Sequence, residues 1–281
     1  MLWFGLILVV IAVILFFFSK RSEAKVHYVK ATETAKIGNI EKLVDEVAAD
    51  MPDGVALGYK DYVELKGRVV CEEPIRGELS DQVGAIVETE VIRVYERREE
   101  TRDSQGHIRT EWRRTEETVS SNRRESPFWV DDGTGRIRVK ANRGVELVKS
   151  FERFEQPQGG FGDSGFGGPG QLSIGTGRFQ ISIGGGHWDM NSQRTLGFKF
   201  IERMLPINKP VYAIGEVAVI EDEGLVFRAP TEDDKKKPFM LSPRTEEEIV
   251  KSAEKSATIL RVIAIILALG GAALAVVGIV R

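Results

Sequence analysis

The first residues whose types could do chemistry are two adjacent carboxylates, Asp131 and Asp132, in the segment FWVDDGTGRIRV of residues 128–139. A carboxylate pair can act as general acid and base when both groups reach the same bond. Adjacent side chains on a strand point to opposite faces, however, and aspartate followed by glycine is typical of a tight hairpin. The sequence therefore predicts a structural turn, with Gly133 and Gly135 at positive φ.

A second candidate is the glycine-rich segment 156–186, which holds twelve of the 29 glycines and matches the dinucleotide-binding pattern GxGxxG at residues 165–170. That pattern binds pyrophosphate only when a strand precedes it and a helix follows it, because the helix N-terminus receives the phosphates. Alternating apolar residues over 172–183 predict a hairpin instead of a helix. We therefore expect a glycine-rich insertion in a larger domain and no nucleotide cofactor.

The third candidate is a charged segment, residues 96–125, with eight arginines and eight acidic residues. One interpretation is a solvated two-stranded hairpin with its turn at residues 103–106, since the two charge signs cancel. The other is an arginine-lined strand face for RNA or an anionic lipid, because basic residues beside an aromatic ring such as Trp112 are found in single-strand binding sites. The residues of this predicted basic patch are Arg97, Arg98, Arg113 and Arg114.

Cysteine and histidine are too few for a disulfide or a metal cluster: they are Cys71, His27, His107 and His187. A single cysteine forms no internal disulfide.

The chain has 42 acidic and 39 basic residues, a net charge of −3. This balance argues against non-specific binding to nucleic acid, which depends on lysine and arginine. We predict no cofactor, no metal site and no catalytic residue, and we favour partners other than nucleic acid.

Two uncharged apolar segments lie near the ends of the chain. Residues 2–18 form a run of seventeen apolar residues, which is about the shortest helix that spans the ~30 Å hydrocarbon core. Residues 262–280 form a run of nineteen. A cleavable signal peptide is the alternative for the first run, but its charges, Lys20 and Arg21, follow the apolar residues instead of preceding them. We predict two transmembrane helices, and therefore a multi-pass membrane protein.

The basic residues beside the two spans predict their orientation. Those between the spans are Lys20, Arg21, Lys25, Lys30, Lys251, Lys255 and Arg261. Because such residues favour the inner side of a membrane, we predict a cytoplasmic soluble domain with both termini outside.

In the second span, Ala264, Ala268 and Ala272 repeat every four residues. This small-residue spacing predicts close packing on a partner helix, for which the first span is one candidate.

Between the spans, the hydrophobic period predicts mainly β-structure. Residues 22–50 predict an amphipathic helix that packs on a neighbouring domain or lies on the lipid surface. Alternating strands follow over residues 62–228, and Thr245 with Glu248 forms a capping box that begins a helix running into the second span. We predict a small OB-like β-barrel domain between two transmembrane α-helices, with the amphipathic helix after the first span. OB-like barrels also bind oligonucleotides.

Several segments, in the same order, resemble the GIDE domain family, the membrane proteins related to the mitochondrial ubiquitin ligase activator (MULAN-like proteins). The segments are 67–70, 74–79, 127–139, 197–202, 205–206 and 210–216. The family-signature positions are Asp131, Asp132, Gly133, Thr134, Gly135, Glu202, Gly215 and Glu216. The resemblance covers residues 62–228 and implies a domain beside the membrane, held between two transmembrane helices. Its implied organisation is a transmembrane helix (1–19), an amphipathic helix and linker (20–53), a β domain (54–229), a linker with a helix start (230–257) and a second transmembrane helix (258–281).

In the eukaryotic ligases of this family, a RING finger after the second span carries the ubiquitin-transfer activity. A RING needs about eight cysteine and histidine zinc ligands, and these 281 residues contain four. We therefore expect a membrane-anchored, non-catalytic interaction module that binds the bilayer and either a protein partner or a second copy of itself. The alternatives are a RING-type E3 ubiquitin-protein transferase in membrane or organelle organisation, as the family label implies, and an OB-like domain that binds nucleic acid or lipid.

Overall fold

The computed structural model describes residues 2–50, 58–102, 106–141, 143–156, 171–176, 179–184, 192–231 and 237–280. Its helices are α1 (Leu2–Ala31), α2 (Ile37–Asp50) and α3 (Glu246–Val280). Its strands are β1 (Lys60–Cys71), β2 (Ile75–Arg76), β3 (Val83–Arg102), β4 (Ile108–Glu125), β5 (Phe128–Asp131), β6 (Arg136–Lys140), β7 (Val148–Glu155), β8 (Gln171–Thr176), β9 (Phe179–Gly184), β10 (Gln193–Pro206), β11 (Pro210–Ile220), β12 (Gly224–Arg228) and β13 (Met240–Ser242). The predicted class, mainly β between two long apolar helices, is confirmed.

The chain divides into two compact units. The first comprises Met1–Arg68, Trp129–Glu146 and Lys209–Arg281, and the second comprises Val69–Phe128 and Leu147–Asn208. The domain boundaries predicted from the sequence stay predictions.

In the first unit, α1 and α3 pack against each other through two glycines. A Cβ atom on Gly271 would lie 2.8 Å from the carbonyl oxygen of Gly5, and one on Gly5 would lie 2.6 Å from the carbonyl oxygen of Gly271. Only residues without a side chain allow the two backbones to approach so closely. The windows Trp3–Lys20 and Glu246–Gly278 are long and apolar enough to cross a membrane, and few of their residues are buried. The partner helix predicted for the second span is α1.

Polar contacts join the same two helices beyond their apolar segments. The buried hydroxyl of Ser19 donates a hydrogen bond of 3.0 Å to the carbonyl oxygen of Ala257. In addition, Arg261 of α3 forms an ion pair with Glu23 of α1. These contacts hold the helices together where the chain leaves the apolar region.

The helix α3 begins with the predicted capping box. The backbone N–H of Thr245 donates to Glu248 at 3.1 Å, and the backbone N–H of Glu248 donates to the Thr245 hydroxyl at 3.3 Å. The helix then continues without a break to Val280, as expected. Its first turns and the end of α1 pack on β11 and β13 in one apolar cluster of Val29, Tyr212, Ile214, Met240, Ile249 and Val250.

The predicted helix over residues 22–50 is interrupted, so that prediction is wrong in one detail. The helix α1 ends at Ala31, and α2 begins at Ile37. Between them, the N–H of Ala35 donates to the carbonyl oxygen of Glu64 at 2.9 Å, and the N–H of Glu64 donates to the carbonyl oxygen of Glu33 at 3.2 Å. Backbone groups that bond to strand β1 cannot also bond within a helix, so the helix breaks there.

The strands of the first unit form a closed ring. Their order is β1-β5-β6-β12-β11-β13, and β1 also pairs with β11, which closes the sheet on itself. The hairpin β5–β6 is antiparallel, as predicted, and β6 pairs with β12 in parallel. Closure buries one face of every strand in the ring. The buried residues include Val63, Leu65, Val130, Ile137, Ala213, Val217, Val226 and Phe227.

The second unit contains a sheet with the order β2-β3-β10-β7, and β4 pairs with β3. Its buried apolar residues include Ile86, Val91, Val94, Phe198, Phe200 and Leu205. Within the glycine-rich segment, β8 and β9 form the expected antiparallel hairpin. Residues 157–170, 177–178 and 185–191 of that segment, and 103–105 of the predicted turn in the charged hairpin, lie outside the described residues.

The glycine contact between α1 and α3 predicts different effects for two adjacent substitutions. Gly271→Leu should lower the stability of the detergent-solubilised chain by about 1–3 kcal/mol, because the new side chain overlaps the backbone of α1. Gly270→Leu is the matched control, since a Cβ atom at Gly270 meets no atom within 4 Å. Thermal unfolding of both variants measures the difference. Equal melting temperatures would contradict the glycine contact.

Candidate functional site

The Asp-Gly-Thr-Gly turn between β5 and β6 holds the N-terminus of α2. One carboxylate oxygen of Asp132 accepts a hydrogen bond from the N–H of Ile37 at 3.0 Å, and the hydroxyl of Thr134 accepts one from the N–H of Gly38 at 3.0 Å. The other oxygen of Asp132 accepts from the N–H groups of Thr134 and Gly135 at 2.8 and 3.2 Å. The first N–H groups of a helix have no partner inside the helix. The turn therefore caps a helix that lies far earlier in the chain.

The two aspartates of this turn are held in their charged forms. Burial acts to raise the pKa of Asp132, but the hydrogen bonds from Thr134, Ile37 and Gly135 outweigh burial and lower it. The pKa of Asp131 is lowered by the backbone N–H of Gly133 and by the side chain of Arg136, which donates at 2.8 Å. Both carboxylates thus act as hydrogen-bond acceptors within the turn.

The two glycines of the turn are there for different reasons. Gly133 has a φ of +83°, as predicted. The prediction of a positive φ at Gly135 is wrong, since the glycines with positive φ in the described residues are Gly106, Gly133, Gly144 and Gly224. A Cβ atom on Gly135 would lie 2.6 Å from Glu41 and 2.9 Å from Ile37. Glycine at 135 therefore allows α2 to approach the turn closely.

Gly215 and Glu216 lie together on β11, in the wall of the ring. The buried carboxylate of Glu216 accepts a hydrogen bond from Nε of Arg228 at 2.9 Å, and Nη2 of Arg228 lies 2.8 Å from the same oxygen in an ion pair. A Cβ atom on Gly215 would lie 2.8 Å from the ring of Phe239 and 2.9 Å from the carbonyl oxygen of Arg228. Position 215 therefore needs a residue without a side chain, and Glu216 forms a buried ion pair between β11 and β12.

Glu202 lies on β10 in the second unit and is 0% exposed. Its carboxylate accepts hydrogen bonds from the N–H groups of Leu79 and Ser80 at 2.9 and 3.2 Å, and from the hydroxyls of Ser80 and Ser150. A Cβ atom on Gly77 would lie 2.8 Å from the carboxyl carbon. Burial acts to raise the pKa of Glu202, but these hydrogen bonds outweigh it and lower the pKa. Glu202 therefore fixes the loop between β2 and β3.

The arginines of the predicted basic patch lie on the β3–β4 hairpin in two groups. The register places Arg97 opposite Arg113, and Arg98 opposite Trp112. Because neighbouring residues on a strand point to opposite faces, Arg114 shares the face of Arg98 and not that of Arg113. Arg98 and Arg113 also form ion pairs with glutamates of β3, at 3.3 and 3.5 Å. A role of the patch in binding RNA or lipid stays a prediction.

The first unit contains a buried polar network whose residues are not among the site residues predicted from the sequence. Glu64, which is 2% exposed, accepts hydrogen bonds from the hydroxyls of Tyr212 at 2.8 Å and Thr34 at 2.5 Å. Lys66 lies 3.0 Å from Glu64 and 2.8 Å from Glu246 of α3. Burial, together with the hydrogen bond to Glu64, raises the pKa of Tyr212, so its hydroxyl stays a donor. An acidic residue among the apolar residues of β1 is the signal that would have indicated this network.

Arg93 is a second buried charge that the predicted site residues do not include. It donates to the Thr195 hydroxyl at 2.8 Å and to Gln193 at 3.1 Å, and its guanidinium lies 4.4 Å from the ring centre of Tyr95. Burial lowers the pKa of Arg93, while Glu117 and Tyr95 oppose that shift. In the sequence, Arg93 shares the alternating face of Val91 and Tyr95, and an arginine on an apolar face is the signal for a paired buried charge.

The first unit also contains a cavity of about 720 Å³ between the end of α1 and β1. Its lining includes Lys60, Asp61, Tyr62 and Lys237, so it carries both charge signs. The Tyr62 hydroxyl donates to the carbonyl oxygen of Pro238 at 2.6 Å, and burial raises the pKa of Tyr62. Among the described residues, no group of three or more histidine, cysteine or acidic side chains is arranged to hold a metal ion.

The hydrogen bonds of Glu202 predict a stability that depends on pH. Glu202→Gln should lower the free energy of unfolding at about pH 7 by about 1–3 kcal/mol, because the amide cannot accept the same set of hydrogen bonds. The lowered pKa of Glu202 means that this stabilisation is present above the ordinary carboxyl pKa and is lost as the pH falls through the lowered value.

Urea unfolding of the wild type and of Glu202→Gln over a falling pH series measures this effect. The difference between the two proteins should narrow at acidic pH, where the native carboxyl is also protonated. Glu111→Gln on the exposed strand β4 is the control and should differ little from the wild type at any pH. A constant Glu202→Gln difference down to acidic pH would contradict a lowered pKa.

Comparison with known proteins identifies the family. A family model described as "GIDE: E3 Ubiquitin ligase" matches residues 96–278, which is more than half of the chain. The E3 ubiquitin-protein ligase SP1 of Arabidopsis thaliana is 29% identical over 197 residues, which cover 69% of this chain and 48% of that protein. The chain thus spans about half the length of the curated relative that it matches, and no solved structure matches it. This chain belongs to the GIDE E3 ubiquitin ligase family.

Proposed function

We propose that this chain is a membrane-anchored, non-catalytic interaction module of the GIDE E3 ligase family. The proposal rests on the observation that two carboxylates at predicted signature positions are buried and hydrogen-bonded within the fold. Glu202 and Glu216 are both buried, and each accepts hydrogen bonds from groups of its own unit. Buried carboxylates that are already paired within their own unit stabilise the fold and are poorly available to a substrate.

The number of cysteine and histidine residues in this sequence supports a role other than ubiquitin transfer itself. A RING finger needs about eight cysteine and histidine ligands, and these 281 residues supply four. The ligase named in the comparison is a protein of which this chain covers 48%. The part of this chain that matches the family model, residues 96–278, runs from within β3 almost to the end of α3, and we assign the binding of a protein partner to that part.

An assay of ubiquitin transfer and of bound zinc tests the proposal. The purified, detergent-solubilised chain is incubated with activating enzyme, conjugating enzyme, ubiquitin and ATP, and its zinc content is measured by elemental analysis. We expect no ubiquitin conjugates above the level without the chain, and less than one zinc per chain. The Arabidopsis ligase, assayed in parallel, is the positive control. Stoichiometric zinc, or autoubiquitylation without an added RING protein, would overturn the proposal.

We also propose that the soluble domain faces the cytoplasm. Seven basic residues flank the two spans on the side of the soluble domain, namely Lys20, Arg21, Lys25, Lys30, Lys251, Lys255 and Arg261. Basic residues beside short apolar spans favour the cytoplasmic side. The two helices of sufficient length and hydropathy support the membrane association on which this orientation depends.

Accessibility of a single cysteine tests the orientation. In a Cys71→Ser background, Lys42→Cys places a thiol at an exposed position of α2. A membrane-impermeant thiol reagent should label this cysteine only after the cells are lysed. Labelling in intact cells to the same extent as after lysis would contradict a cytoplasmic domain. The Cys71→Ser chain without the added cysteine gives the background of the assay.

A further inference from the structure

The longest exposed strand of the second unit, β4, has one edge that pairs with none of the described strands. It pairs with β3 along its length, from Ile86 opposite Glu125 to Arg102 opposite Ile108. No other strand among the described residues pairs with β4. Its eighteen residues are exposed or partly exposed throughout. Such an edge presents backbone N–H and C=O groups to any chain of suitable sequence.

The residues at the middle of this edge are arranged with opposite charges on either side of one threonine. They read Arg113-Arg114-Thr115-Glu116-Glu117. Suppose that two copies of β4 pair antiparallel, with Thr115 opposite Thr115. A residue that precedes Thr115 by one or two positions then faces the residue that follows Thr115 by the same number of positions in the other copy. Both arginines then face glutamates of the second copy, and both glutamates face its arginines.

From this arrangement we propose that two copies of the chain associate through antiparallel β4–β4 pairing centred on Thr115. The pairing places four opposite-charge pairs directly across the two strands, the geometry in which such pairs stabilise a sheet. A shift of one residue keeps two of the four pairs. A shift of two residues places Arg114 opposite Arg114, or Glu116 opposite Glu116. Among registers shifted by up to two residues, the charges therefore favour the one centred on Thr115.

The side chains that would form these pairs are accessible in the single chain. The side chains of Arg113, Glu116 and Glu117 are 73%, 47% and 54% exposed. On the β3 side, Arg113 lies opposite Arg97, which carries the same charge. A glutamate on its other side would offset that repulsion. Arg113 forms its present ion pair with Glu99 at the surface, where such pairs contribute little to stability and can be shared. Glu116 pairs with the partly buried Lys199, and Glu117 pairs with the buried Arg93. In the paired strands, each glutamate would therefore lie between its present partner and an arginine of the second copy.

The length of the regular edge matches this register. Val91 pairs with Ser120 and Ile92 with Thr118, so Val119 is an extra residue that forms a bulge in β4. A bulge interrupts regular pairing on an edge strand. The uninterrupted edge that is symmetric about Thr115 therefore runs from Trp112 to Thr118, which face each other across the two copies. Trp112 is 52% exposed, and contact with a threonine is a favourable cross-strand pair for an aromatic residue.

A second copy is a better occupant of this edge than a polyanion. Residues 96–125 contain equal numbers of arginines and acidic residues, and a polyanion would meet repulsion from the glutamates beside the arginines. Two copies anchored in one membrane also meet at a raised effective concentration. This inference does not depend on the absence of ubiquitin transfer, because the pairing could occur in either case.

Charge exchange on the full chain in detergent or in nanodiscs tests the pairing. The double variants Arg113→Glu/Arg114→Glu and Glu116→Arg/Glu117→Arg should each self-associate at least about tenfold more weakly than the wild type, because like charges then face each other. An equimolar mixture of the two should associate again, since all four pairs are restored between unlike chains. Restored association also shows that both variants are folded. A monomeric wild type, or double variants that associate as the wild type does, would overturn the proposal.

Disulfide trapping gives an independent readout of the register. In a Cys71→Ser background, Thr115→Cys should form an intermolecular disulfide, because residues directly opposite on antiparallel strands have Cα atoms about 4.5–5.5 Å apart. Thr110→Cys is the control on the same strand, since its counterpart would lie about 34 Å away. Equal crosslinking of the two variants would refute this register. A monomeric chain whose salt-dependent binding to single-stranded RNA is lost in Arg113→Glu/Arg114→Glu would instead identify a nucleic-acid surface.

Discussion

The close contact between α1 and α3 is the constraint on which the first unit depends. Gly5 and Gly271 bring the backbones together near the two ends of the chain, and the same two helices then continue to the strands β11 and β13. Because the end of α1 and the first turns of α3 share one apolar cluster with β11 and β13, the separation of the helices and the closure of the ring are linked. The two ends of the sequence are thus brought together by packing that no local pattern requires.

Buried and partly buried carboxylates organise the loops of both units. Asp132 caps α2 from a turn that lies 95 residues later in the chain, and Glu202 fixes the loop that contains Leu79 and Ser80. Glu64 joins β1 to Tyr212 of β11. In each case, a buried or partly buried carboxylate accepts hydrogen bonds from several donors, which is the condition under which such a group stabilises a fold. Two of the predicted signature positions, Asp132 and Glu202, are therefore points of structural contact within their own units.

The features that the sequence predicts correctly are those with a local physical cause. The capping box of Thr245 and Glu248 spans one helical turn, and the positive φ of Gly133 follows from the turn that contains it. The helix break at residues 32–36 could not be predicted, because it depends on backbone hydrogen bonds to Glu64, which lies on another element. The prediction of a positive φ at Gly135 is wrong for the same reason. The side chains that exclude a Cβ atom there belong to α2, which is distant in the sequence.

The direction of the pKa shifts bears on what these carboxylates can do. A general acid that acts near neutral pH needs a carboxyl pKa raised toward that range. The pKa values of Asp131, Asp132 and Glu202 are all lowered, in each case by hydrogen bonds from neighbouring groups. These groups therefore keep their charge at neutral pH and are not proton donors there. The same donors that hold the loops in place thus also hold these carboxylates in their charged forms.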